Sequence, residues 1–330
     1  MKNERIEYIS LASVLSAIAV IFLHANECVA NFSFDSWWFS ANLIHSIFIF
    51  AVPLFFMISG AMLLDFNKKY NLKTYFSKRI NKTVIPYIFW SIIGILFQIY
   101  FLNSINISRI DLMFVFDCFL NGNAIIVYWF FIPLFELYIL FPLVSKFVDT
   151  KKNCFLVMLG LFFINFVLFF YNVNLIGYLF FAVFGFYVHK YGLSKKIRII
   201  LYLLALFGFF ANSFGSYYIS IVSGKLFRSY INYTFIPAML YPCGLFVFIK
   251  YDLVKIMKNG YINKIVSFLD SYTFGIYLIH WYILKILIKL FDINIYSIVY
   301  RLCSPFVVLI ISVLIIYFIR KIQLIKNFVP

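Results

Sequence analysis

YISLASVLSAIAVIFLHAN, residues 8–26, decides the fold class. Residues 8–23 carry no charge, and the run approaches the roughly 20 apolar residues that a bilayer-crossing helix needs. It exceeds the core of a cleavable signal and no A-x-A-like site follows it, so the expectation is a helix that is retained. An imidazole, His24, interrupts the run near its end, where lipid would make a polar group costly.

The rest of the 330 residues repeats that pattern. The chain is 65% apolar and only 12% charged, against roughly 45–50% and 25% in soluble proteins, with a mean hydropathy of +0.98. It reads as an integral membrane protein. The 45 Phe and 25 Tyr accompany frequent Ile, Asn and Lys, a bias compatible with codon usage, and carry little functional argument. A net charge of +16 would suggest nucleic acid in a soluble chain. Here Lys and Arg fall in short loops between apolar runs, where topology explains them, and no nucleic-acid partner is expected. Cys28, Cys118, Cys154, Cys243 and Cys303 form no C-x-x-C pair and have no His at zinc-ligand spacing, so no metal site is expected.

Hydropathy places candidate spans at about 9–29, 40–65, 83–103, 125–145, 154–171, 174–189, 197–215, 232–250, 266–290 and 299–319. The fold expected is all-α, a polytopic bundle of about ten transmembrane helices. Ten crossings put both termini on one side. The loops on that side hold 22 Lys and Arg; the opposite loops hold six, namely Arg109, Lys225, Arg228, Lys285, Lys289 and Arg301. The asymmetry predicts cytoplasmic termini in the cell membrane. No extramembrane segment is long enough for a second domain and no repeat or low-complexity tail is visible, so residues 1–330 read as one integral-membrane domain.

Function is then argued from polar residues at membrane depth. In the first span Ser13, Ser16, Ala17, Val20, His24 and Glu27 share a helix face, and Leu11, Val14, Ile18, Ile21 and Phe22 form an apolar flank opposite. The stripe predicts that His24 faces protein or a water-filled cavity. Glu27 lies one turn beyond, within reach of the ring, as carboxylates that orient a base do. An imidazole titrates near the working pH, so His24 suits a general base acting on a hydroxyl; the alternative is a histidine bridging two helices. His45 reads as an interfacial or packing residue, His189 as solvated beside Lys190, and His280, amid FGIYLIHWYIL, as packing or a site residue.

The second span ends in VPLFFMISGAMLLD, where Pro53 can kink the helix and Ser59-Gly60-Ala61 can admit a close backbone. Next comes a basic stretch with six cations in residues 66–82, including Arg79 and Lys82 one turn apart before Pro86. Topology accounts for part of this charge; a cytoplasmic anion such as a nucleotide phosphate would find donors there. Glu136, in YWFFIPLFELYILFP, must face the interior or be protonated, because a mid-helix carboxylate costs about 2.5–3.5 kcal/mol to insert.

Together these stretches resemble the integral-membrane acyltransferase 3 family, which O-acylates envelope polysaccharides, peptidoglycan or related acceptors from an acyl-coenzyme A. YISLASVLSAIAVIFLHAN resembles the family's first helix, VPLFFMISGAMLL its VPLFFxxSG signature, and YFSKRINKTVIPYIFW its basic entry to the third helix. YWFFIPLFELYILFPLV and SYTFGIYLIHWYIL resemble two later motifs, in the family's order. The chain departs from the family at Ser10 and Ser13, where Asp and Arg are frequent, at Val127 in place of His, and at Glu136 in place of Gly.

The resemblance implies that His24 is catalytic, with Glu27 beside it, and that Arg79 and Lys82 meet the coenzyme. It implies a pore-like cavity, for which Ser59, Trp129, Glu136, Tyr277 and His280 are the candidate lining residues. The reaction implied is transfer of an acyl group, acetyl being the simplest, from acyl-CoA to a hydroxyl of an envelope polysaccharide or lipid-linked glycan. Membrane lipids and a second copy in a homodimer are further expected partners. Two other readings stay open on sequence: a transporter of a lipid-linked glycan or small solute, with His24, Glu27 and Glu136 lining the path, and an interaction protein with a decayed site.

Overall fold

A computed structural model of the chain describes residues 6–171, 173–227 and 232–329; Lys2, Arg5 and Arg228 of the charge count, and the side chain of Arg109, lie outside the described residues. The described residues form helices and turns with no strand. In chain order the α-helices are α1 Glu7–Ala25, α2 Ser36–Phe48, α3 Ala51–Leu63, α4 Leu72–Arg79, α5 Ile85–Tyr100, α6 Leu112–Asn121 and α7 Phe131–Val144. They continue with α8 Lys151–Leu168, α9 Leu175–Tyr191, α10 Lys195–Ser223, α11 Ile236–Tyr251, α12 Gly260–Asp270, α13 Thr273–Phe291 and α14 Ile298–Lys321.

Each of the ten expected stretches contains a helix, and eight helical stretches among the described residues are long and apolar enough to cross a membrane. The shorter pieces are α9 and α11, with 17 and 16 residues. The second expected span is not one helix. It breaks between α2 and α3 at Ile49 and Phe50, because Pro53 has no N–H for the carbonyl four residues back and its ring crowds that turn. Three helices, α4, α6 and most of α12, occupy segments read as loops.

The chain divides into two compact units, Met1–Leu64 with Phe147–Leu314, and Asp65–Lys146 with Ile315–Pro330. In the first unit α1 packs against α2, α3, α11, α12 and α13. The apolar flank Leu11, Val14, Ile21 and Phe22 is as buried as the small-residue stripe, so α1 is a central helix rather than a half-lipid-facing one. The α3–α9 crossing is made by glycine: a Cβ at Gly60 would overlap the carbonyl of Ala182, and one at Gly185 would overlap that of Met57. The close approach expected at Ser59-Gly60-Ala61 is therefore backbone against backbone. Polar side chains join α2 to α10. Asn42 donates to the Ser213 carbonyl at 2.8 Å, Ser216 donates to Asn42 Oδ1 at 2.6 Å, and Ser46 to Asn212 Oδ1 at 3.2 Å. The outward sides of α8 and α10 expose Phe163, Val167, Leu203, Leu206, Phe207 and Phe210, a pattern that hydrocarbon as solvent permits.

In the second unit Asn71 caps α4 by accepting from the Thr74 N–H at 2.9 Å. The backbone then widens into a π turn, Ile80–Val84, ahead of α5. Pro86 explains it, since it cannot donate to the Lys82 carbonyl four residues back; the Ile85 N–H instead reaches Ile80, five residues back. Tyr75 fastens α4 to α7 by donating to the Tyr138 carbonyl at 3.0 Å.

Candidate functional site

The site begins where α1 ends. The Asn26 N–H still bonds the Phe22 carbonyl at 3.1 Å, after which the chain turns through Glu27–Ala30. The Asn26 side chain is fully buried and fixes that turn: Nδ2 donates to the Ala41 carbonyl at 2.8 Å and Oδ1 accepts from Arg301 at 3.3 Å. Arg301 was counted as an extracytoplasmic loop charge; it is instead buried near the start of α14. Its guanidinium also donates to Ser40 Oγ at 2.8 Å and the Tyr296 carbonyl at 3.1 Å. Every one of these partners is neutral. Arg301→Met leaves three oxygens without their donor, so we expect a stability loss of about 2–3 kcal/mol, measured as a lowered thermal midpoint in detergent.

Pinning Asn26 places the residues on either side of it. His24 Nδ1 lies 3.2 Å from Glu27 Oε1, and Lys285 Nζ, on α13, donates to Glu27 Oε2 at 2.8 Å. The three side chains are 19%, 30% and 26% exposed, half-sheltered rather than sealed. A carboxylate only accepts, so Nδ1 is the donor to Glu27, and in the neutral imidazole Nε2 carries the lone pair. No partner to His24 Nε2 is found among the described residues. Burial alone would raise the Glu27 carboxyl, which lies beyond the end of α1; the His24 bond and the His24 and Lys285 charges outweigh burial and hold it below the usual carboxylate range.

A second imidazole faces this one. The His280 ring centroid is 5.3 Å from that of His24, and its Nδ1 lies 2.8 Å from the Tyr277 carbonyl and 3.1 Å from that of Ile276. Carbonyls also only accept, so His280 Nε2 is the lone-pair atom; it is buried with no partner. Tyr277 packs its ring 5.7 Å from His280 and 6.2 Å from Phe55. His45 is within electrostatic range of His24. His189, expected to be solvated, meets the Tyr8 hydroxyl at 2.5 Å instead. Ser59 is half-buried on α3, in the glycine crossing.

The remaining predicted residues belong to the second unit. Arg79 ends α4 with its guanidinium 5.6 Å from the Tyr138 ring centroid, and Lys82 is exposed within the π turn. Nearby in the same unit, a cavity of about 870 Å³ is lined by Lys68, Lys69, Tyr70, Asn71, Phe76 and Lys146, among others. Trp129 is half-buried in the 3-10 turn before α7. Glu136, expected to face the interior or be protonated, is exposed on α7, and no ion pair to it is found among the described residues.

Lys285 is the site residue that sequence reading missed, because it was assigned to topology. The signal was available: it lies inside the expected span 266–290, where a cation is as anomalous as Glu136. No group of three or more His, Cys, Asp or Glu suited to a metal ion occurs among the described residues. Residues 6–319 match the protein-family model described as Acyltransferase domain. No curated protein and no solved structure matches the chain.

Proposed function

The chain belongs to the acyltransferase 3 family, and from that premise we propose that it moves an acyl group, acetyl being the simplest, from acyl-coenzyme A to a hydroxyl of an envelope polysaccharide or lipid-linked glycan. The observation that carries this is the setting of His24: Nδ1 is committed to Glu27, and no partner to Nε2 is found among the described residues. That is the preparation a general base needs. In the proposed step the acceptor hydroxyl oxygen bonds to the thioester carbonyl carbon as its proton passes to His24 Nε2. The carbon–sulfur bond breaks, and the sulfur leaves and takes up the proton from His24. The products are an ester and free coenzyme A.

Donor binding is assigned to the second unit. Coenzyme A is polyanionic, and Arg79, Lys82 and the lysines of the nearby cavity suit its phosphates. The excess of Lys and Arg in the loops on the side of the termini, which grows once Lys285 and Arg301 are set aside from the opposite loops, supports placing that basic stretch, with both termini, on the cytoplasmic side, where acyl-coenzyme A is made. Trp129, Ser59, Tyr277 and His280 remain the proposed substrate-lining residues, with His280 Nε2 the strongest as a hydrogen-bond acceptor. The test is direct. Purified protein in liposomes, given acetyl-labelled coenzyme A and a crude envelope glycan fraction, is expected to transfer label to glycan; a protein that only transports leaves the glycan unlabelled, and that result defeats the proposal.

A further inference from the structure

An orienting carboxylate creates a difficulty for the base it serves. An anion within about 4–6 Å of an imidazole favours its protonated form by roughly 1–3 pH units, and a protonated imidazole cannot accept a hydroxyl proton. Glu27 touches His24 directly. An enzyme that keeps the hydrogen bond must therefore deal with the charge.

The geometry supplies an answer. The two oxygens of Glu27 are divided, Oε1 to His24 and Oε2 to the Lys285 ammonium. We propose that Lys285 is a positioning residue that cancels the charge of Glu27 while leaving its hydrogen bond to His24 intact, so that His24 is oriented without being held protonated. The inference rests on His24 being the base of the acyl transfer, but it concerns the charge state of His24 and is measurable without turnover.

Among the described residues, Lys285 is the lysine or arginine that bonds Glu27. His280 on α13 and His45 on α2 interact electrostatically with His24, but both are imidazoles that bring no negative charge. Tyr300 on α14 and Cys28 in the turn after α1 face Glu27, and neither is a cation. Arg301 is a cation, yet its guanidinium is taken up by Asn26, Ser40, Tyr296 and Ser297 rather than by the carboxylate. Among the described residues only His24 and Lys285 bond to Glu27. Lys285 also holds its Nζ 5.4 Å from the Trp281 ring centroid, which restrains the ammonium on the side facing the carboxylate.

Diethyl pyrocarbonate reports on this because it modifies only the unprotonated imidazole, and peptide mass spectrometry assigns the product to His24 residue by residue. The full-length protein in detergent is treated across a pH series and the midpoint of His24 modification is recorded. In Lys285→Met the midpoint is expected to move to higher pH by about 1 unit or more. Lys285→Gln, which keeps a donor for Oε2 without the charge, is expected to give the same upward shift, and it protects the test if the Met variant fails to fold. Lys285→Arg is expected to return the midpoint to that of the wild type. In Glu27→Gln the midpoint is expected to move to lower pH, because the anion is gone while the Lys285 charge remains.

A midpoint that stays in place in both Lys285→Met and Lys285→Gln overturns the proposal, even if the variants are less stable, since a merely structural lysine lowers stability without retuning His24. Failure of His24 to react at any pH overturns it too, because the role requires a reachable Nε2. The acyltransferase reading fails separately, if label does not reach glycan while the midpoint shifts as expected.

Discussion

Replacing His24 with alanine is expected to reduce O-acylation of envelope glycan to background in cells, with the protein inserted and folded at wild-type levels. General-base catalysis contributes about 10²–10⁴-fold, and a hydroxyl with no base nearby is a weak nucleophile toward a thioester. The fold should tolerate the change: the ring is 19% exposed, its one hydrogen bond is to a carboxylate that Lys285 also holds, and alanine favours the helix. The measurement is ester-linked acyl content of isolated glycan by mass spectrometry, in a deletion strain complemented with each variant at matched membrane abundance. Undiminished acylation in His24→Ala removes His24 from the chemistry.

Gly60→Val is expected to have the largest structural effect. The new Cβ would overlap the Ala182 carbonyl, a backbone atom that has no rotamer to retreat into. Ordinary overpacking costs about 1–3 kcal/mol when side chains can shift; here α3 and α9 themselves must separate, and the cost exceeds that range. Folded protein recovered from membranes should fall severely. Gly160 on α8 is the control, because a Cβ there meets nothing within 4 Å, and Gly160→Val should leave recovery near wild type. Equal recovery of the two variants would contradict the crossing.

Hydropathy made the helical class legible, since each expected span contains a helix, and the small patch around Gly60 announced the closest crossing. What hydropathy could not weigh was which helices lie at the centre. The small-residue stripe and the apolar flank of α1 differ in composition but are equally enclosed, because neighbouring helices offer apolar surfaces that a lipid tail also offers. The break before Pro53 was readable as a kink, and the bond that Pro53 cannot donate makes it a separation into two helices. At the site, His24 and Glu27 could be paired from i,i+3 spacing alone. Lys285 could not, since it lies 258 residues away and its charge had a ready explanation in topology. Glu136 was conspicuous on chemical grounds, and its exposure on α7 is a matter of helix rotation that no local pattern fixed.

Arg301 bears on how the chain reaches its folded state. Its partner Ser40 is synthesised 261 residues earlier and Asn26 275 residues earlier. A guanidinium entering the bilayer before its acceptors exist would have nothing to bond, at a cost of about 2.5–3.5 kcal/mol near a helix centre. During co-translational insertion the acceptors on α1, its turn and α2 are therefore in place while α14 is still on the ribosome. Docking of α14 then brings the Arg301 guanidinium to Asn26, the residue just before Glu27, so the far end of α1 and the start of α14 become one fixed corner.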